Sequence, residues 1–205
     1  MSESLNLDHL ERQAWRRDAS DGLMEFLAGI LFFFVARAMV DPHLAWVPAL
    51  LLFPMRWANR FFKERFTWPR IGYVKLKSED SKDFGRGVLT YLAVVFVIYL
   101  ALLWVFGDIT SFQSWRQWLP TLMGGFCSGG FFFAAGKSRL ARHYALAIFC
   151  IAWGLVCSLP AEPFSTPGIQ RWALGLGLVN LLTGVAVFVR FVRRYPVREA
   201  EAGDE

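Results

Sequence analysis

Residues 87–106 read GVLTYLAVVFVIYLALLWVF, twenty positions without a charged side chain. A bilayer core about 30 Å thick needs about 20 apolar helical residues to span it, and an uncharged run of 18 or more is the usual signature. Residues 117–136 and 172–189 carry no charge either. These three blocks predict an all-α integral membrane protein, because a helix satisfies its own backbone hydrogen bonds inside lipid.

Weaker apolar segments around these blocks raise the predicted number of spans to six, arranged as three hairpins. The first two spans are the least regular, because Asp41 and Pro42 interrupt the chain between them and the second contains Pro48 and Pro54. Residues 23–62 could span the membrane twice or form a re-entrant hairpin. The predicted spans of the membrane domain, 23–192, are 23–40, 43–62, 87–106, 118–136, 143–159 and 172–192.

Lysine and arginine fall almost entirely on one side of this topology. The N-terminus, the loops 56–86 and 137–142 and the C-terminal end hold 19 of the 22 basic residues. Because positively charged loops stay in the cytoplasm, the sequence predicts a plasma-membrane protein with both termini cytoplasmic. The net charge of +5 then indicates contact with anionic lipid headgroups on the cytoplasmic side rather than with nucleic acid.

The segments outside the spans are predicted to lie on the cytoplasmic surface. Apolar residues at helical spacing within 1–22 are typical of an interfacial amphipathic helix, with a weakly ordered tail as the alternative. In the loop 63–86, residues 67–77 predict a turn with a short extended or hairpin segment. The tail 193–205 is charged. The candidate surface residues of the loop are Pro69, Arg70, Gly72 and Tyr73.

Polar side chains close to or inside the spans are candidates for a functional role, because such groups are costly in lipid. Asp21 and Glu25 lie four residues apart and share a helix face, where they could bind a proton or a cation. A simpler interpretation is that acids favour a helix N-terminus and pair with Arg139 or Arg142. The full set of candidates is Asp21, Glu25, Arg37 and Asn180, of which Arg37 is predicted to snorkel to the outer headgroups.

Small residues in the fourth and sixth spans predict close helix packing. The fourth span contains Gly125-x-x-x-Gly129 and Gly124-x-x-x-Ser128. Packing within one bundle is the first interpretation, and a homodimer or a backbone-lined cavity are the alternatives. The candidate packing residues are Gly124, Gly125, Ser128, Gly129, Gly130, Gly177 and Gly184.

The sequence contains no recognisable catalytic, cofactor-binding or metal-binding set. Ser128-Gly129 matches part of the Gly-x-Ser-Gly motif of rhomboid proteases, but Phe126 replaces the first glycine. The sixth span also has no histidine to serve as the base that nucleophilic catalysis requires. The three cysteines lie in apolar blocks and are interpreted as small buried side chains. We therefore predict no cofactor.

Two short motifs carry a resemblance to a known family. Asp21-Gly22-Leu23 precedes the first span, and Pro69-Arg70-Ile71-Gly72-Tyr73-Val74 lies in the cytoplasmic loop. Together they resemble the pattern of a family of bacterial multi-pass membrane proteins with no known activity. The resemblance implies a bacterial plasma-membrane protein and supplies no catalytic residue.

Three functions are compatible with these observations. The first is a non-enzymatic accessory or scaffold component that works through helix packing, with a homodimer or another membrane protein as its partner. The second is a small transporter or channel with a site near Glu25 and Asn180. The third, and the least supported, is an enzyme that acts on lipid.

Overall fold

The structure is a computed structural model that describes residues 13, 15–44, 46–71, 81–106, 110–159 and 167–196. These residues form helices, turns and short connections without a strand, which confirms the predicted all-α class for this part of the chain. The long helices are α1 (Leu23–Ala38), α2 (Val47–Phe62), α3 (Ser81–Phe106), α4 (Phe112–Ser138), α5 (Ala141–Ser158) and α6 (Gly168–Arg194).

The last four long helices have the length and apolar character needed to cross a bilayer, α3 over Gly85–Phe106 and α4, α5 and α6 over their full lengths. Helix α1 meets the same test only together with the preceding helix Trp15–Asp21, from which it is bent by 50°. Helix α2 is not among these candidates. The structure therefore supports a helical membrane protein with four or five candidate spans, fewer than the six that the sequence predicts.

Two helix pairs form the body of the bundle: α1 packs along α6, and α4 packs along α5. Helix α5 also contacts α6, which joins the two pairs, while α3 packs on α4. Tyr99, Leu103 and Trp118 are buried at the contact between α3 and α4. The buried residues of the central core are Ala36, Cys150, Cys157, Trp172, Ala173 and Leu176.

Glycines bring the backbones of α1 and α6 together. A Cβ atom added to Gly29 would lie 2.6 Å from the backbone nitrogen of Leu181, and one added to Gly184 would lie 2.7 Å from the Cα of Phe26. A Cβ on Gly177 would also meet Phe33, at 3.2 Å. Gly177 and Gly184 thus pack within the chain, and Gly29 is a contact residue that the sequence analysis did not select.

The small residues of α4 also face neighbours in the same chain. Gly124 faces the carbonyl oxygen of Cys150, Gly125 faces Val95, and Gly129 faces the ring of Tyr91. Hydrogen bonds add to the contact between α3 and α4. The hydroxyls of Tyr91 and Ser128 both donate to the carbonyl oxygen of Gly125, at 2.8 and 2.7 Å. Gly130 differs, because a Cβ added there meets no atom within 4 Å.

Replacing Gly129 by leucine is expected to push Tyr91 out of its place and loosen α3 from α4. Overpacking of this kind costs about 1–3 kcal/mol in the free energy of unfolding. Thermal unfolding in detergent should therefore show a lower midpoint for Gly129→Leu and little change for the matched control Gly130→Leu. Light scattering should give the same oligomeric mass for both variants. A loss of assembly in Gly130→Leu alone would instead indicate that the open face of α4 binds a second copy.

The local prediction for the loop after α2 is wrong where the structure describes it. Residues Lys63–Thr67 form a π-helical stretch that continues α2, and Trp68–Ile71 form a further α-helical turn. Tertiary bonds from Lys63 and Thr67 hold this backbone helical, against the extended preference of its aromatic and β-branched residues. Pro69 and Arg70 therefore lie on a helix, while Gly72 and Tyr73 lie outside the described residues.

The predicted interfacial helix near the N-terminus is described only in its last part. Residues 1–12 and 14 lie outside the described residues, whereas Trp15–Asp21 is helical. Gly22 separates this segment from α1 in a left-handed conformation with φ 73°. A Cβ at Gly22 would lie 2.8 Å from the carbonyl oxygen of Gly184, so both the bend and the close approach favour glycine.

Candidate functional site

The buried acidic and basic side chains of the described residues, Asp21, Glu25, Lys63 and His143, gather at one end of the bundle, which we call the polar end. It is built by Trp15–Asp21 with the start of α1, by Lys63–Thr67 after α2, and by the turn between α4 and α5. The C-terminal part of α6 lies at this end as well, and its residue Val187 is next to Gly22. The side chains that interact at the polar end are Asp18, Asp21, Glu25, Lys63, Thr67, Ser138, Arg142 and His143.

Glu25 is at the centre of the polar end and is only 3% exposed. Its Oε1 atom accepts a hydrogen bond from Nε of Arg142 at 2.8 Å and lies 3.0 Å from Nε2 of His143. Arg142 donates a second bond to the carbonyl oxygen of Ala19. A buried carboxylate is tolerated only when it is paired in this way. The contacts join the start of α1 to the start of α5.

His143 extends this chain of bonds into α4. Its Nδ1 atom lies 2.8 Å from Oγ of Ser138, and the Ser138 hydroxyl donates to the carbonyl oxygen of Ala134 at 2.7 Å. Only Arg139 and Leu140 separate the two helices, and Arg139 adopts a left-handed conformation with φ 50°. This tight reversal places Ser138 and His143 side by side.

A second set of bonds ties the segment after α2 to the segment before α1. Nζ of Lys63 lies 2.6 Å from Oδ2 of Asp18, and the Thr67 hydroxyl donates to Oδ2 of Asp21 at 2.9 Å. The other carboxylate oxygen of Asp21 accepts the backbone N–H of Leu23 at 3.1 Å, which satisfies one of the free donors at the start of α1. Asp21 therefore caps the start of α1 and also links it to the segment that follows α2.

Ser138, His143 and Glu25 follow the order of a nucleophile, a base and an orienting acid. Nucleophilic catalysis needs a hydroxyl that the substrate can reach and whose proton passes to the base. Ser138 is 2% exposed, and its hydroxyl is engaged with Ala134. This geometry suits a structural tie between helices better than a reactive centre.

The four polar candidates of the sequence analysis do not form one site in the structure. Asp21 and Glu25 both lie at the polar end, but they bind different partners, and Arg142 is the one of the two proposed arginines that pairs with Glu25. Arg37 is exposed in the last turn of α1, at the opposite end. Asn180 is buried within α6, where its Nδ2 donates to the carbonyl oxygen of Leu176 at 2.9 Å.

Sequence reasoning missed the residues that complete the polar end, namely Asp18, Lys63, Thr67, Ser138 and His143. Each is an ordinary polar residue at a loop or a helix end, and all but Ser138 have a partner that is distant along the chain. A partial signal was present in the short spacing of Ser138 and His143 across a helix boundary. In the described part of the chain, no three His, Cys, Asp or Glu residues lie together as a metal site.

Comparison with protein-family models gave no match for this chain, and the comparisons with curated proteins and with solved structures gave none either. The family resemblance carried by Asp21-Gly22-Leu23 and by residues 69–74 therefore stays a prediction.

Proposed function

We propose that this chain is a non-enzymatic accessory or scaffold component of a bacterial plasma membrane, built to hold another membrane protein through helix packing. In this proposal residues 23–62 span the bilayer twice, which gives six spans. The polar end faces the cytoplasm, because the segments that build it belong to the side with 19 of the 22 basic residues.

The observation that carries the proposal is that each buried acidic or basic side chain of the described residues is bound to a side chain from another segment of the bundle. Glu25 is paired with Arg142 and His143, Lys63 with Asp18, and Asp21 with Thr67. A transport site needs polar groups that are free to exchange a proton or a cation, whereas groups paired across helices fix the helices relative to each other. The polar end therefore supports a rigid scaffold.

Helix α3 offers the face on which a partner would pack. Over Gly85–Phe106 it contains the most apolar 18-residue stretch of the candidate spans, and only 11% of that stretch is buried within the described residues. Its outward residues include Leu89 and Val97, which are 70% and 64% exposed. Within the described residues, its main contact is the one with α4. A second membrane protein could cover this helix without disturbing the central core.

Photocrosslinking in the native membrane tests this proposal. A benzophenone amino acid at Leu89 or Val97 is expected to give one discrete protein adduct, identified by mass spectrometry. The matched control is Leu182 on α6, which is 60% exposed and should give lipid adducts only. Lipid adducts alone at all three positions would contradict a scaffold role for α3.

One observation favours transport as a second candidate. The Oδ1 atom of Asn180 is buried and has no hydrogen-bond partner among the described residues. An unpaired polar oxygen inside a membrane bundle is costly, and a bound ion, water or substrate would satisfy it. In proteoliposomes, transport through this site predicts a flux that falls in both Asn180→Leu and Glu25→Gln. The scaffold proposal predicts no flux in the parent or in either variant.

A further inference from the structure

The end of α6 carries an open groove that the polar-end bonds do not use. It is lined by Ala186, Val189, Arg190, Arg193 and Arg194 and has a volume of about 520 Å³. The two apolar residues are small, which makes room beside the helix, and the three arginines surround the outer part. The groove therefore changes from apolar to strongly basic along one helix.

The three guanidinium groups are available to bind an anion. All three residues are exposed, and no Asp or Glu in the described part of the chain forms an ion pair with them. Arg194 lies over the ring of Tyr195, 5.8 Å from its centre, which orients its side chain. Guanidinium groups bind phosphate oxygens in bidentate geometry, so this cluster suits a phosphate monoanion or diester.

Below the groove, α6 presents an apolar stripe at helical spacing. Leu178, Leu182, Val185 and Val189 recur every three or four residues and are between 43% and 60% exposed. At 1.5 Å per residue the stripe is roughly 16 Å long and ends where the arginines begin. A glycerophospholipid has the same order, because an apolar chain of comparable length leads to a phosphate.

We propose that this groove binds one anionic glycerophospholipid, with its phosphate between Arg190, Arg193 and Arg194 and an acyl chain along the stripe from Val189 to Leu178. The inference rests on the proposed placement of the polar end at a headgroup layer. It does not depend on a protein partner or on transport. The polar end lies at the same level, since Phe188 packs against Phe66 and Val187 against Gly22.

Native mass spectrometry of the full chain in detergent tests the site. The probes are phosphatidylglycerol and phosphatidylcholine with identical acyl chains, together with inorganic phosphate as a competitor. We expect phosphatidylglycerol to bind at least tenfold more tightly than phosphatidylcholine, which is about 1.4 kcal/mol. Inorganic phosphate at the same concentration should not displace it, because the stripe also contributes to binding.

Variants separate this groove from general charge attraction. A single Arg193→Gln change should weaken phosphatidylglycerol binding about fivefold, and the triple change of Arg190, Arg193 and Arg194 to glutamine roughly a hundredfold. Arg37→Gln removes the same single charge from an exposed residue at the opposite end and should leave affinity unchanged. Val189→Trp keeps every charge but fills the groove, so it should also reduce binding.

Three results would overturn the proposal. The first is equal affinity for the two lipids, and the second is an equal effect of Arg193→Gln and Arg37→Gln. The third is complete displacement by inorganic phosphate, which would identify a site for a free anion instead of a lipid. Circular dichroism and the elution volume of each variant verify that it remains folded. Loss of the protein adduct in the α3 crosslinking experiment would leave this proposal standing.

Discussion

Replacing Glu25 by alanine is expected to destabilise the bundle by roughly 3–5 kcal/mol, because the change leaves the buried partners of a charge pair without their counter-ion. Glu25 is 3% exposed and the side chain of Arg142 is 20% exposed. The same change removes the bond to His143 and thus breaks the chain of contacts from α1 through α5 to α4. Unfolding of the purified protein by a denaturing detergent provides the measurement.

A surface ion pair supplies the matched control for this prediction. Arg60 and Glu64 are 2.7 Å apart, and their side chains are 74% and 45% exposed. Because such pairs contribute only about 0–1 kcal/mol, Glu64→Ala should leave the unfolding curve almost unchanged. Replacing Glu25 and Arg142 together by leucine should recover most of the lost stability, since an apolar pair of similar size avoids desolvation. Equal stability of Glu25→Ala and the parent would show that the polar end is not a structural tie.

Replacing Gly184 by alanine is expected to force α1 and α6 apart. The added methyl group would lie 2.7 Å from the Cα of Phe26 and also against its backbone nitrogen, and neither atom can rotate away as a side chain does. Overpacking of a tight contact costs about 1–3 kcal/mol, and a backbone clash belongs at the upper end of this range. The free energy of unfolding should fall accordingly, with a lower thermal midpoint.

Gly130→Ala is the control for the Gly184 prediction because it makes the same chemical change in a helix interior. A Cβ at Gly130 meets nothing within 4 Å, so alanine should be neutral there or stabilise by about 0.5–1 kcal/mol through its better helix propensity. Gly184→Ala should therefore lower the thermal midpoint, whereas Gly130→Ala should leave it unchanged or raise it. A stable Gly184→Ala protein would indicate that the α1–α6 contact is looser than the structure describes.

The helical membrane character of this chain follows from local sequence because run length and charge are local properties. Residues 87–106, 117–136 and 172–189 each lie inside one long helix, and the proline-containing segment near Pro42 separates two helices as predicted. The number of spans does not follow from such local signals, since α1 and α2 have 16 residues each and carry charges. Whether such a helix crosses a bilayer depends on its neighbours and on snorkelling side chains.

The polar end could not be predicted in detail because its partners are far apart in the sequence. Glu25 and Arg142 are separated by 117 positions, and Asp21 and Thr67 by 46. Composition and spacing indicate that Asp21 and Glu25 favour a helix start, but only the fold, which brings the first turn of α5 within side-chain reach of Glu25, selects Arg142 instead of Arg139. The helical form of Lys63–Thr67 depends on the same long-range bonds.

The glycines also show what local sequence can predict and what depends on the tertiary fold. A small-residue pattern indicates that a backbone is approached closely but does not name the approaching element. In α4 that element is α5 for Gly124 and α3 for Gly125 and Gly129, whereas Gly130 faces open space. Gly29 has no pattern around it, yet it forms one of the closest contacts between α1 and α6.

The central claim is that the buried acidic and basic groups at the polar end are bound to side chains of other segments and thereby fix the helices relative to one another. An electron cryomicroscopy map of the protein in lipid nanodiscs, with a bound antibody fragment as a marker, tests it most directly. We predict Glu25 within hydrogen-bond distance of Arg142 and His143, and no water-filled path from Glu25 to Asn180. An open cavity joining these two residues, with Glu25 turned away from Arg142, would contradict the scaffold account and favour transport.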